Sequence, residues 1–370
     1  MPLPTTLTPA SDRSRTRRAR TRLLAAAALL LAVVGATASA PSARADDLSS
    51  LSLAGVTGTG LHNTYNDSAE YTYLANALDT GTSLVELDTW ANVLNGKWDV
   101  SHGDPLASEN NCVQASSYAD IYTGDRNQNL DSCLDDIHYW LLDHPTSHPI
   151  MIKIEMKNGF DDTTGQNPTE FDSYVKAHLG SVLYTPADLL TKPDGTMYAN
   201  LDEAAQADNW AGYDSLEGKA IVEIIPGTFE QAVDASDTWV DQVYAQHLID
   251  LYNSGEIADA AVFPSVLGAQ TGDPRLRYSD TALRPWFVVF DQDAGSFVSD
   301  GDTNWYADNN YLLVVTDAYD VTPALSEYAP SLADAEARVA ELAADGASYV
   351  STDWYNSPGD GVLSEVLPRG

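Results

Sequence analysis

Four short stretches place polar, chemistry-bearing side chains at the ends of apolar runs. His62-Asn63-Thr64-Tyr65 follows the first strand candidate, and Glu86-Leu87-Asp88 ends the second. Ser101-His102-Gly103 comes after a short third candidate, and Glu155 lies within Ile150–Lys157. Side chains alternate across a strand, so Glu86 and Asp88 share one face while Val85, Leu87 and Thr89 share the other. Two carboxylates on one face repel unless one is protonated or a cation lies between them. A hard divalent cation with oxygen ligands meets that need. In Ile150–Lys157, Ile150, Ile152, Ile154 and Met156 form an apolar face, and Met151, Lys153, Glu155 and Lys157 form the opposite, mostly charged face. Asn63, Glu86, Asp88 and Glu155 are thereby candidate oxygen ligands. Ca²⁺ takes about 6–8 oxygens, which leaves places for water and substrate. His62 and His102 remain as a pair that can stabilise a phosphoryl group and protonate a leaving oxygen. Gly103 after His102 permits a tight backbone near a ligand.

These residues need a scaffold that brings strand ends together. Apolar, β-branched runs recur at Leu53–Val56, Ser83–Trp90, Lys97–Ser101, Pro149–Met156, Lys219–Ile225, Ala261–Leu267, Trp286–Phe290, Tyr311–Thr316 and Ser348–Thr352. Helical patterns lie between several of them, at Ala69–Asp79, Asp131–Leu142, Pro168–Leu179 and Ser331–Ala344. Pro168 suits a first helical turn, and Gly180 a helix stop. Strands alternating with helices point to an α/β domain. A (β/α)8 barrel fits the length and puts chemistry at the C-terminal strand ends. The runs number one more than a barrel needs, and Ala261–Leu267 is the weakest because Pro264 interrupts it. The alternative is a doubly wound open sheet. Its Gly-rich turn is not completed: Gly58-Thr59-Gly60 leads on to His62-Asn63, and no GxGxxG forms.

The chain has 370 residues and a formal charge of −35. So acidic a chain excludes nucleic acid as a partner, since phosphate neutralisation needs clustered Lys and Arg. Residues 1–45 read as an export signal: a basic region from Arg13 to Arg22, an apolar run Leu23–Val34 and Ala43-Arg44-Ala45 before Asp46. Residues 46–370 are then one catalytic domain with 12 basic and 53 acidic side chains, a charge of −41. No later stretch is long and apolar enough for a transmembrane anchor. Secretion into an extracellular setting is expected, and with it pairing of Cys112 and Cys133 in a disulfide behind His102. A monomer is expected.

In chain order, His62-Asn63, Glu86-Leu87-Asp88, Ser101-His102-Gly103 and Ile154-Glu155 resemble the motifs of the phosphatidylinositol-specific phospholipase C superfamily. More narrowly, they are similar to its Ca²⁺-dependent branch, which includes secreted bacterial members. Gly346-Ala347 with Ser351-Thr352-Asp353 resembles the closing strand of that group. The resemblance spans residues 62–353. It implies a distorted (β/α)8 TIM-type barrel, His62 and His102 as catalytic histidines, and Ca²⁺ held by Asn63, Glu86, Asp88 and Glu155. It implies cleavage of phosphatidylinositol, presented at a membrane or micelle surface, to diacylglycerol and a cyclic or simple inositol phosphate through attack of the 2-hydroxyl. Metal-independent relatives place an Arg near Glu86-Asp88, whereas no Arg lies between Arg44 and Arg126. Gly218-Lys219 is followed by Glu223 and Ile225 where binders of extra ring phosphates carry cations, which favours plain phosphatidylinositol. Lys157, Arg275, Asp353, Trp354 and Tyr355 are candidates for contacts to the ring or lipid. The competing readings are an Mg²⁺-dependent glycerophosphodiesterase or sphingomyelinase D-like enzyme, and a non-catalytic exported binding protein on the same barrel.

Overall fold

Among the described residues eleven strands form, and eight of them close on themselves. The computed structural model describes residues 48–66, 70–92, 94–103, 110–127, 129–234, 238–268, 270–355 and 358–370. The expected export signal, 1–45, lies outside the described residues. The strands are β1 (Val56–Leu61), β2 (Leu84–Asn92), β3 (Lys97–Val100), β4 (Ile150–Met156), β5 (Leu183–Tyr184), β6 (Ala220–Pro226), β7 (Phe263–Leu267), β8 (Val289–Asp293), β9 (Leu312–Thr316), β10 (Tyr349–Thr352) and β11 (Val366–Pro368). β1, β2, β4, β6, β7, β8, β9 and β10 pair in parallel in that order, and β10 returns to β1. This is the expected (β/α)8 TIM-type barrel, in a single compact unit, Ala45–Gly370. β3 is antiparallel to β2, β11 is antiparallel to β1, and β5 adds to β6.

The surplus candidate is therefore Lys97–Val100, a hairpin arm, and Phe263–Leu267 is a true barrel strand. Pro264 stands opposite Ile224 of β6 at the start of the strand, and the ladder to β8 begins one residue later, at Ser265. The first strand also lies further on than its apolar run. Leu53–Gly55 is a 3₁₀ turn, and Thr57-Gly58-Thr59-Gly60 is strand. The glycines are there for closeness: a Cβ on Gly58 would come within 2.5 Å of Ser83 Cβ, and one on Gly60 within 2.4 Å of Leu84 Cβ. Similarly, Arg284–Trp286 is a 3₁₀ turn, and the sixth barrel strand begins only at Val289.

Helices cover the barrel. Leu130–Asp143 buries Leu130, Leu134, Ile137 and Leu141, the spacing of one helix face. Pro168–Leu179 starts at an Asn167 cap whose side chain accepts from Glu170 N. Cys112 and Cys133 are disulfide-bonded. Asn111, beside that bond, receives Leu74 N and donates its backbone N–H to Tyr65 O and its amide to Thr64 O. The disulfide segment thus braces the turn after His62. No helix among the described residues is long and apolar enough to cross a membrane.

Candidate active site and metal centre

The β2–β4 ladder builds the acidic cluster. Glu86 stands opposite Lys153, and Asp88 opposite Glu155. Neighbouring parallel strands keep opposed residues on one face, so all four side chains enter the barrel. The apolar residues Ile152 and Ile154 turn outward into the core. One carboxylate oxygen from each of Glu86, Asp88 and Glu155 falls within 4.8 Å of the others. Two lysines answer them. Lys153 Nζ lies 3.2 Å from Glu86 and 2.9 Å from Asp291 on β8. Lys157 Nζ lies 3.0 Å from Asp88 and 3.1 Å from Glu155. Glu155 also accepts from Thr228 N at 2.7 Å and Thr228 Oγ1 at 3.0 Å, just beyond β6.

The electrostatics record crowding. Burial, then the Glu155 and Glu86 charges, push Asp88 up to about 7 against the pull of Lys157. Burial also works to raise Glu86, but Lys153 and then His62 outweigh it and hold that carboxyl below its ordinary value. Glu86 Oε2 is buried and accepts no hydrogen bond. A cluster of hard oxygens, one of them orphaned and another pushed toward protonation by its neighbours, fits a hard divalent cation such as calcium.

His62 follows β1 and faces this cluster. Its Nδ1 lies 3.1 Å from Asp353 Oδ1, at the end of β10, and its Nε2 lies 3.9 Å from Glu86 Oε2. Burial opposes its charge, but Glu86 and the Asp353 hydrogen bond prevail and push it up to about 9. Asn63 sets its amide nitrogen 3.1 Å from His62 Nε2. Its φ of 46° is left-handed, a conformation that Asn tolerates better than most residues. Asp317, after β9, joins His62 and Asp353 in a second close group.

His102 is exposed. Ser101 holds it in place: Ser101 N donates to Asp88 O, and Trp90 Nε1 donates to Ser101 O at 2.8 Å. His102 lines a cleft of about 370 Å³ with Trp90, Gly103, Lys157, Thr228 and Phe229. The structure thus brings together Asn63, His62, Glu86, Asp88, Glu155, Lys157 and Asp353, with His102 entering through the cleft beside Lys157.

Two expectations need correction. Arg275 is buried, its guanidinium bonded to Asp273, Asp202 and Phe287 O, which precedes β8; it is a structural ion-pair residue. Trp354 is fully buried in the core, because it follows β10 on the face opposite Asp353, and offers no ring surface. Tyr355 is half-buried near Tyr328, their ring centroids 6.1 Å apart. Asp291 was missed in the sequence because the apolar run Trp286–Phe290 ends before it. The pairing of Asp353 with His62 carries no local signal, since 291 residues separate the two.

No protein-family model and no curated protein matches the chain. Solved structures do. A Ca²⁺-dependent phosphatidylinositol-specific phospholipase C from Streptomyces antibioticus is 44% identical, covering 86% of this chain and 99% of that one, with a TM-score of 0.81. A calcium-dependent phosphoinositol-specific phospholipase C from a Gram-negative Pseudomonas species matches at 19% identity over 86% of this chain and 95% of its own, with a TM-score of 0.62. At that identity the Pseudomonas structure shows the shared fold.

Proposed function

Because the chain belongs to the Ca²⁺-dependent phosphatidylinositol-specific phospholipase C family, we propose that it cleaves phosphatidylinositol to diacylglycerol and an inositol phosphate. The observation that carries this reading is the facing pair Asp88 and Glu155, joined by Glu86 and set beside His62. Asn63, Glu86, Asp88 and Glu155 would hold calcium. When bound, it supplies a Lewis acid that lowers the pKa of the attacking ring hydroxyl and offsets charge at the phosphoryl group.

The chain's own residues do the rest. His62, whose protonated form the Asp353 hydrogen bond favours, presents positive charge and an N–H to the phosphoryl oxygens. Asp353 fixes its ring through Nδ1, the role of a positioning carboxylate. Glu86 is the better placed proton acceptor, since its Oε2 makes no hydrogen bond while Glu155 Oε1 already meets Thr228 and Lys157. His102, exposed in the cleft, delivers a proton to the departing glycerol oxygen.

Phe229, which lines the cleft, and Val233, one helical turn on, are exposed and offer an apolar face to a lipid aggregate. Residues 1–45 direct export, and the disulfide suits an oxidising compartment. The test is phosphorus NMR of phosphatidylinositol micelles with the mature protein, in calcium and then in excess chelator. Inositol phosphate formed only with calcium supports the reading. A free alcohol head group, with phosphate left on the lipid, would replace it with a phospholipase D-type reaction.

A further inference from the structure

The two lysines of the site are not equivalent. Lys153 bridges Glu86 to Asp291, is 3% exposed and does not line the cleft. Asp291 is outside the proposed ligand set, so Lys153 keeps a partner whatever Glu86 binds. Lys157 is different: both of its carboxylate partners, Asp88 and Glu155, are proposed calcium ligands. It also lines the cleft that holds His102.

We propose that Lys157 shares the acidic cluster with calcium: calcium displaces its ammonium from Asp88 and Glu155, and the displaced ammonium meets a phosphoryl oxygen of the substrate in the cleft. This rests on the calcium reading above. An ammonium about 3 Å from two carboxylates fills the space from which calcium, at about 2.3–2.6 Å, would engage the same oxygens. Two cations so close repel strongly away from bulk water. Lys is suited to both positions, because its charge sits at the end of a flexible four-carbon stem. The cleft also needs a cation. Its acidic surroundings oppose an anionic substrate, and Lys157 is the one lysine or arginine among the described residues that line it, beside His102.

The test measures calcium affinity by calorimetry in the absence of substrate, and turnover at saturating calcium, for the wild type, Lys157→Met, Lys157→Arg and Asp88→Asn. Lys157→Met should bind calcium at least about tenfold more tightly, because a competing cation is gone. Its turnover should fall about 10²-fold through the lost phosphoryl contact. Lys157→Arg keeps the competing charge and should not tighten calcium binding. If Lys157→Met does not fold, Lys157→Gln replaces it with a side chain of polar character. Equal or weaker calcium affinity in the uncharged variant overturns the proposal. Tighter binding with unchanged turnover overturns its phosphoryl half. Wild-type calcium affinity in Asp88→Asn is a separate result, because it removes the calcium reading itself.

Discussion

Asp88 and Glu155 face each other across the parallel β2–β4 ladder, so two carboxylates on adjacent strands enter the barrel at one level. With Glu86 two residues before Asp88 on the same face, three acidic groups converge where barrel enzymes place their chemistry, toward the C-terminal strand ends. Such an arrangement is held together by cations, and the chain supplies two ammonium groups.

Asp88→Asn should separate metal binding from folding. The substitution removes repulsion from Glu155 and Glu86, so the variant in chelator should melt at or above the wild type. Calcium should then stabilise the wild type by about 2.7 kcal/mol at a hundredfold excess over Kd, and the variant far less. Thermal melts with and without calcium check this.

Asp353 should act through His62. Asp353→Ala removes an interaction that raises the imidazole, so the His62 pKa should fall from about 9 toward 6.5. Turnover should fall about 10–100-fold, as when a group that orients a functional histidine is lost. Asp353→Asn, which keeps an acceptor for Nδ1–H, should recover part of the rate. Histidine NMR titration reads the pKa, and a surface or packing role for Asp353 would leave it unmoved.

Much of this site was legible as strand periodicity. Ile150–Lys157 alternates so sharply that its inward charges were visible before the barrel was. Glu86-Leu87-Asp88 was visible for the same reason. What escaped depended on register and long-range packing. Gly58 and Gly60 look like a turn, yet they are strand because β1 runs too close to β2 for a Cβ. Asp291 belongs to a strand shifted three residues beyond its apolar run. Arg275 looked available for substrate because charge alone does not say whether a guanidinium is already paired and buried; its partners Asp202 and Asp273 occupy it.

Reducing the disulfide should loosen the His62 turn as well as the fold. Cys112 and Cys133 are 21 residues apart, a loop whose cross-link contributes roughly 3 kcal/mol. Cys112→Ala with Cys133→Ala should lower the melting temperature. Because Asn111 braces Thr64 and Tyr65, it should also weaken calcium binding. Denaturant unfolding and calcium titration of the double variant measure the two effects separately.

Stability should fall between about pH 4 and pH 8 through Asp136. Burial pushes this carboxyl up to about 8, against the N–H that Val113 donates to it. The unfolded chain gives up that proton near 3.8. Within this window the folded state therefore binds more protons, and its stability falls as pH rises, levelling above about 8. Asp136→Asn keeps an acceptor for Val113 and removes the titration. At pH 8.5 the variant should melt about 2 °C or more above the wild type, and at pH 4 the two should converge.

The central claim is that one calcium ion, held by the Asp88–Glu155–Glu86 cluster with Asn63, switches the reaction on. Calcium titrated into chelated protein, with bound calcium and phosphatidylinositol turnover followed in the same samples, tests it most directly. The account predicts one calcium per chain and turnover that rises in step with its occupancy. Full turnover before calcium binds, or calcium bound at this stoichiometry in Asp88→Asn, would contradict it.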